Sequence, residues 1–285
     1  MAELDEIFEV EQPAEEKNET GKMTREEWQI KREQARIEAF ELLETVTDKL
    51  FAPEALTAYL DVQSRFGRYS VSNAILIAEY KPDATRLADF GFWKEHEVNI
   101  KKGERAVTIL EPREYERADG TKGVSYESKR VFDISQTTAE QRTRPPKPVN
   151  EKTLIKALTK TSPVPIRIDN SLPEGVGAIY APETKSISIR QGMTKDEIFR
   201  ALAPEIVKAR ADMGDRQTNG FEIAAAAYIL CKRNNIDSPV VPDAKAFEGK
   251  EAKEVRAVLR TVRDETNNMS SVMEKALQPK DRDAR

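Results

Sequence analysis

A cluster of prolines divides this chain into two parts. Residues 142–149 read Arg-Thr-Arg-Pro-Pro-Lys-Pro-Val, so proline fills three of the four positions from 145 to 148. Proline has no backbone N–H and a fixed φ, so this run can join neither a helix interior nor a central strand. Because 285 residues suffice for two modest domains, we predict a proline-rich linker at 141–150 between two folded units.

The residues before the linker combine helix signals with strand signals. Three helices are predicted, starting at Thr24 in a capping box, at Pro53 in a first turn, and at Ser70. Short β-rich runs follow at 98–100, 107–110 and 128–134, with a hairpin-type turn at 118–120. We therefore predict an α+β domain over residues 23–140, in which N-terminal helices precede a small antiparallel sheet.

The residues after the linker show a second mixed pattern. Runs at 164–168, 177–180 and 186–189 are typical of strands. Thr194 then begins a second capping box, and the apolar spacing after it predicts a helix, followed by another over about 219–234. We predict a second α+β domain over residues 151–240, with a C-terminal helix and a frayed tail over 241–285.

The charge of the chain is unevenly distributed. Residues 1–22 hold eight carboxylates and two lysines, a net charge of −6, whereas the whole chain is at −4, so the remainder stands at +2. An acidic tail on a slightly basic body is typical of proteins that handle nucleic acid. The alternative is a disordered tail that only solubilises the protein, and in either case we predict disorder over 1–22.

The composition argues against membrane and disulfide-stabilised proteins. Apolar residues make up 39% and charged residues 34%, and no stretch approaches the roughly 18 apolar residues of a spanning helix. The acidic N-terminus lacks the pattern of a secretory signal. The single cysteine, Cys231, allows no intrachain disulfide. We expect a cytoplasmic protein with no membrane partner.

The chain lacks the ligands for a catalytic zinc of the HExxH type. Such a site needs two histidines one helical turn apart, together with a carboxylate. The chain has one histidine, His96, and it lies in the other half, so no HExxH site can form.

Residues 202–209, Leu-Ala-Pro-Glu-Ile-Val-Lys-Ala, resemble the Leu-Ala-His-Glu-Leu-Ala-His-Ala helix of ArdC-type anti-restriction proteins. The resemblance puts Pro204 and Lys208 at the histidine positions and Glu205 at the general-base position. The run from Glu222 to Cys231 resembles the family's next helix, with the third ligand position at Glu222 or Ala224. The resemblance implies a zincin-like α+β domain with a degenerate HExxH helix, no metal and no cofactor.

The positive charge of Lys208 is a candidate to take the place of the metal's charge. Proline cannot bind a metal, Pro204 should kink its helix at a cost of about 3 kcal/mol, and Lys208 is protonated near neutral pH. We hypothesise that the Lys208 ammonium lies near Glu205, Glu222 or both, and neutralises them. The alternative is an ordinary solvated lysine.

The first half resembles the same family in five segments that occur in family order. They are Tyr69 to Ile77 (YSVSNAILI), Asp83 to Thr85 with Phe92 to Lys94, Val98 to Glu104 (VNIKKGE), Ile109 to Pro112, and Arg130 to Thr137 (RVFDISQT). In that family this domain binds single-stranded DNA and is linked to protecting transferred DNA from restriction endonucleases. The resemblance therefore implies a single-stranded-DNA-binding domain.

The residue types suit that role, because binding single strands without sequence choice needs cations along a backbone track and flat rings for bases. The interpretation has alternatives: Phe92 and Trp93 are equally typical of a core, the Lys101-Lys102-Gly103 turn of an ordinary exposed turn, and Asn73 of a helix start. His96 is expected to be a surface or core residue. The candidate DNA-binding residues are Arg65, Arg68, Tyr69, Asn73, Trp93, Lys94, Lys101, Lys102 and Arg105.

The leading prediction is a non-enzymatic, anti-restriction protein of a mobile genetic element, with single-stranded DNA as its partner. A restriction enzyme, or a conjugation or replication protein, is a second expected partner. One alternative is a hydrolase that uses Glu205 without zinc or with a carboxylate-held metal. Another is a protein-binding decoy of a restriction enzyme, in which the acidic tail imitates DNA.

Overall fold

The computed structural model describes residues 24–117, 119–139, 150–238 and 240–278. The predicted acidic tail at 1–22 lies outside them, as does the predicted linker except for Asn150. Within the described residues, no helix is long and apolar enough to cross a bilayer.

The first half is an α+β unit, as predicted. Thr24 caps the first helix through a complete capping box, Pro53 occupies the first turn of the second, and the Ser70 side chain accepts the Asn73 N–H at the start of the third. Strand β3 lies between the other two strands, and both pairings are antiparallel. The elements are α1 (Arg25–Lys49), α2 (Pro53–Arg65), α3 (Val71–Tyr80), β1 (Leu87–Asp89), α4 (Phe90–Glu95), β2 (Val107–Glu116), β3 (Lys122–Asp133) and a 3-10 turn (Ile134–Gln136).

The predicted strand at 98–100 is wrong, since only Ile100 makes an isolated β-bridge, to Thr137. Glu97 before it has a φ of 58°, in the left-handed region, and Gly103 after it has a φ of 87°. The two flanking turns leave too few residues for a regular strand. The short strand β1 and helix α4 come before this segment, and the sequence patterns did not predict them.

The second half contains the three predicted strands and the predicted helices. Its sheet has the order β4-β6-β5, with β4 parallel and β5 antiparallel to β6. Thr194 begins its helix with a complete capping box. The elements are α5 (Glu151–Thr159), β4 (Ile166–Ile168), β5 (Ala178–Ala181), β6 (Ser186–Ile189), α6 (Lys195–Met213), α7 (Gly220–Arg233), a 3-10 turn (Ala244–Phe247) and α8 (Ala252–Leu277).

The two halves share one hydrophobic core. Helix α7 packs against α2 of the first half, and α8 packs against α1 and α3 as well as α5. Polar side chains of α7 and α8 also bind backbone carbonyls at the end of α2 and in the loop that follows it. These bonds run from Arg233 to Gln63 (3.3 Å) and Ser64 (3.2 Å), from Arg263 to Tyr69 (2.8 Å), and from Asn267 to Gly67 (2.8 Å). The C-terminal helices therefore fix the loop that carries Arg68 and Tyr69.

Candidate functional site

Glu205 lies on the buried side of α6, and both of its carboxylate oxygens are occupied. The residue is 8% exposed. Its Oε1 accepts a hydrogen bond from Lys208 Nζ at 2.7 Å, and its Oε2 accepts one from the Tyr180 backbone N–H at 2.8 Å. Lysine three residues further along the helix reaches back over one turn, as this spacing allows. The carboxylate at the general-base position is thus neutralised by a lysine and bound to strand β5.

Glu222 has different partners. Its side chain accepts hydrogen bonds from Arg216 Nη1 (2.7 Å) and Thr218 Oγ1 (3.1 Å), and its backbone N–H is capped by Asn219 at the start of α7. The hypothesis that Lys208 neutralises one or both carboxylates therefore holds for Glu205, whereas an arginine pairs with Glu222. In the described ranges, no group of three or more His, Cys, Asp or Glu side chains could hold a metal ion.

An open cleft of ≈ 610 Å³ lies beside Glu205, between α6 and the segment that leads into β5. Pro204 lines this cleft, and α6 continues past it to Met213. Its floor is mostly small or apolar and includes Gly177, Ala201 and Met193. A Cβ added at Gly177 would meet the Ala201 Cβ at 2.9 Å, so glycine lets the backbone approach the helix here.

Four of the candidate DNA-binding residues are exposed and follow one another along the chain from α4 to β2. They are Lys94, Lys101, Lys102 and Arg105. Lys101 Nζ donates to the Ser135 carbonyl at 2.8 Å, and the Lys101 backbone N–H donates to Gln136 at 2.9 Å. The predicted lysine turn is therefore confirmed, and it is hydrogen-bonded to the 3-10 turn that follows β3.

Asp133 is the buried carboxylate of the Arg130–Thr137 motif, and it connects two segments of the backbone near this turn. It is 1% exposed, and its carboxylate accepts backbone N–H bonds from Thr85 (2.7 Å), Arg86 (2.8 Å) and Ser135 (2.9 Å). Burial raises the pKa of Asp133, but these hydrogen bonds outweigh it, so the pKa lies below its ordinary value. The motif joins the segment before β1 to the segment after β3.

Two candidate DNA-binding residues belong to the framework instead. Trp93 is 2% exposed, and its indole N–H is shared between the Ala88 and Phe132 carbonyls, both at 3.1 Å. Asn73 is buried, and its amide exchanges two hydrogen bonds with the backbone of Leu110, at 2.7 and 2.9 Å. Neither the Trp93 ring nor the Asn73 amide is presented to solvent, so we correct their assignment as surface contacts.

The remaining candidates lie at the end of α2. Arg65 stays exposed, but its guanidinium donates to the carbonyls of Ala84 (3.0 Å) and Pro82. Tyr69 is half-buried, with its ring edge-on to Phe66 at 5.6 Å, and burial raises the pKa of its hydroxyl. Arg68 is exposed. Only Arg68 of this group has a side chain that is both exposed and without a bond to the framework among the described residues.

The structure presents flat groups that the sequence analysis did not select. The His96 ring stacks on Phe92 at 4.1 Å, and the Arg86 guanidinium lies 5.8 Å from the centres of both the Phe92 and Trp93 rings. On the hairpin of β2 and β3, Tyr115 and Tyr126 are also exposed. No spacing or motif identifies His96, Arg86, Tyr115 or Tyr126 as surface groups, because their exposure depends on how the strands and α4 pack.

Comparison with models of protein families gives no match, and neither does comparison with curated proteins. Two crystal structures of the antirestriction ArdC protein from plasmid R388, one metal-free and one with Mn(II) bound, do match, with TM-scores of 0.53 and 0.54. Both are 16% identical to this chain and cover 83% of it, and the chain covers 97% and 98% of theirs. The resemblance inferred from the sequence motifs is thus confirmed at the level of the fold, and this chain has the α+β fold of the ArdC antirestriction protein.

Proposed function

We propose that this protein binds single-stranded DNA without enzymatic activity and acts in anti-restriction. The fold likeness to an antirestriction protein over most of both chains supports the biological role. One observation carries the binding role: exposed cations and the exposed His96 ring lie on one segment of the chain, from Arg86 to Arg105, and the hydrogen bonds of the buried Asp133 hold the start of that segment. A single strand uses both kinds of contact, with its phosphates on cations and its bases on rings.

The absence of enzymatic activity is supported by the environment of Glu205. A general base must reach a water or substrate proton, but both oxygens of this carboxylate already accept hydrogen bonds, from Lys208 and Tyr180. The second half then serves as a support for the binding surface, because α7 and α8 fix the loop that carries Arg68 and Tyr69.

The binding role is tested by titrating the full chain with fluorescent single-stranded and duplex oligonucleotides of equal length. We expect single strands to outcompete duplex, and affinity to fall as salt rises, with a slope of about −0.7 per phosphate contact. Lys94→Glu with Lys102→Glu should weaken binding by about tenfold or more. The matched control, Lys152→Glu with Lys160→Glu, makes the same change of charge at two exposed lysines of the second half and should not weaken it. No measurable affinity for single strands at low salt would refute the role.

A hydrolase remains the second candidate because an open cleft borders Glu205. It predicts a chelator-sensitive hydrolysis of an unstructured protein substrate that is lost in Glu205→Gln. One tightly bound zinc per chain in elemental analysis would likewise overturn the non-enzymatic role.

The decoy alternative rests on the acidic residues 1–22, which lie outside the described residues. Deleting them separates the two ideas. A decoy loses its anti-restriction activity on deletion, whereas single-strand affinity should hold or rise when eight carboxylates are removed from a chain that binds a polyanion.

A further inference from the structure

The only histidine of the chain is held in one orientation on the surface. His96 follows the last residue of the short helix α4, and its ring lies against Phe92 at 4.1 Å with an interplanar angle of 27°. Its Nδ1 lies 2.8 Å from the Phe92 carbonyl oxygen, which accepts, so Nδ1 carries the hydrogen. Phe92 covers one face of the imidazole, while the residue as a whole is exposed. Two contacts thus fix the flat ring of an exposed residue.

The ring beneath His96 is itself supported. Phe92 packs edge-on against the buried Trp93 at 5.3 Å, and the exposed Arg86 lies over both rings. The backbone of Arg86 is fixed in turn, because its N–H donates to the Asp133 carboxylate and its carbonyl accepts the Ile134 N–H at 2.9 Å. The imidazole is therefore stacked on a phenyl ring that packs against a buried indole, with the Arg86 guanidinium 5.8 Å from the centres of both of those rings.

The charges around this stack are mixed. From Arg86 to Arg105 the sequence has five cations and four carboxylates. Asp89 is neutralised by Lys129 at 3.0 Å, and Glu104 accepts a hydrogen bond from Gln136. Glu95 and Glu97 flank His96, so the ring does not lie in a purely cationic field. The stack is thus suited to a flat, uncharged group carried on an anionic chain, for which the nearby lysines provide the phosphate contacts.

We propose that the face of His96 that Phe92 does not cover stacks on a nucleobase of bound single-stranded DNA. The inference rests on the proposed binding role and assigns it a specific contact. Base stacking on a side-chain ring needs no sequence preference, because every base has a π-face.

The test compares three substitutions of His96 in the full chain. His96→Phe keeps a flat ring, His96→Lys puts a cation in place of the ring, and His96→Ala removes the ring without adding a charge. Each variant is titrated with an oligothymidylate and with an abasic strand of the same length. Tyr115→Ala, at another exposed aromatic residue on the hairpin, is the control, and thermal midpoints show that all variants fold.

We expect His96→Ala and His96→Lys to bind oligothymidylate about 5- to 150-fold more weakly, the range for loss of one base–ring stack. His96→Phe should stay within about twofold of the natural protein, by the same stacking argument. On the abasic strand, His96→Ala should lose nothing further. If the natural protein binds single strands and His96→Ala binds them equally well, the stacking inference is overturned while the binding role survives. If His96→Lys binds as well as His96→Phe, the contact is one of charge and the inference also fails. If the natural protein binds no single strand, the binding role itself fails.

Discussion

Asp133 holds together the two segments that support the proposed binding surface, so its removal should be costly. Its carboxylate accepts three backbone N–H bonds of 2.7 to 2.9 Å at 1% exposure. Hydrogen bonds to a charged group contribute about 1.5–3 kcal/mol each, and they are not fully additive. We therefore expect Asp133→Ala to lower the free energy of unfolding by about 3–5 kcal/mol at pH 7.

Asp133→Asn separates the contributions of the two oxygens. An asparagine keeps one carbonyl oxygen for Thr85 and Arg86, but turns an N–H₂ group towards the Ser135 N–H. The expected loss is about 1.5–3 kcal/mol, the contribution of one charged hydrogen bond.

The effect should depend on pH in one direction. The pKa of Asp133 is lower in the folded protein than its ordinary value, so its contribution is complete above the unfolded pKa of about 4 and is lost as pH falls through the folded pKa. The difference between the natural protein and Asp133→Asn should therefore shrink below about pH 4. Urea denaturation followed by tryptophan fluorescence measures both quantities. A loss below about 1 kcal/mol for Asp133→Ala at pH 7, or a pH-independent difference, contradicts the reasoning.

Three other substitutions test separate parts of the structure. Lys208→Met should lower the free energy of unfolding by only about 1 kcal/mol, because the Lys208 side chain is 40% exposed and solvent partly screens its pair with Glu205. A double-mutant cycle with Glu205→Gln should give a coupling energy of similar size, and zero coupling would contradict the pair. Asn73→Leu leaves the N–H and C=O of Leu110 without partners and should cost about 2–5 kcal/mol in urea denaturation, with unchanged single-strand affinity per folded molecule; a lower affinity would restore Asn73 as a contact. Pro204→Ala restores a helix N–H inside α6 and should raise the free energy of unfolding by up to about 3 kcal/mol. The thermal midpoint should rise accordingly, and an unchanged midpoint would contradict this.

Local signals in the sequence predict much of the fold. Capping boxes at Thr24 and Thr194 mark the starts of α1 and α6, because the cap and its partner lie three residues apart. The contact between Lys208 and Glu205 was foreseen for the same reason, since helix geometry alone brings them together.

The sequence left open the roles of residues whose contacts span long distances along the chain. Asn73 and Leu110 are 37 residues apart, and nothing near Asn73 indicates that its amide bonds a strand. Trp93 has a flat aromatic ring of the kind that stacks on bases, yet the pairing of β1 with β3 buries it. Residue type alone suggests which rings and cations could bind DNA. It does not predict which of them face solvent, because exposure depends on how the strands and helices pack together.

The hydrogen bonds from α7 and α8 to the end of α2 and the loop after it affect how the chain folds during synthesis. Arg233, Arg263 and Asn267 bind carbonyls 169 to 200 residues earlier in the chain. The segment that carries Arg68 and Tyr69 therefore leaves the ribosome long before the side chains that fix it exist. Contacts of such separation form slowly, because a long loop must close first. We expect the N-terminal half to stay incompletely packed until the last helix has been translated, and a chain truncated before α8 to have an open core.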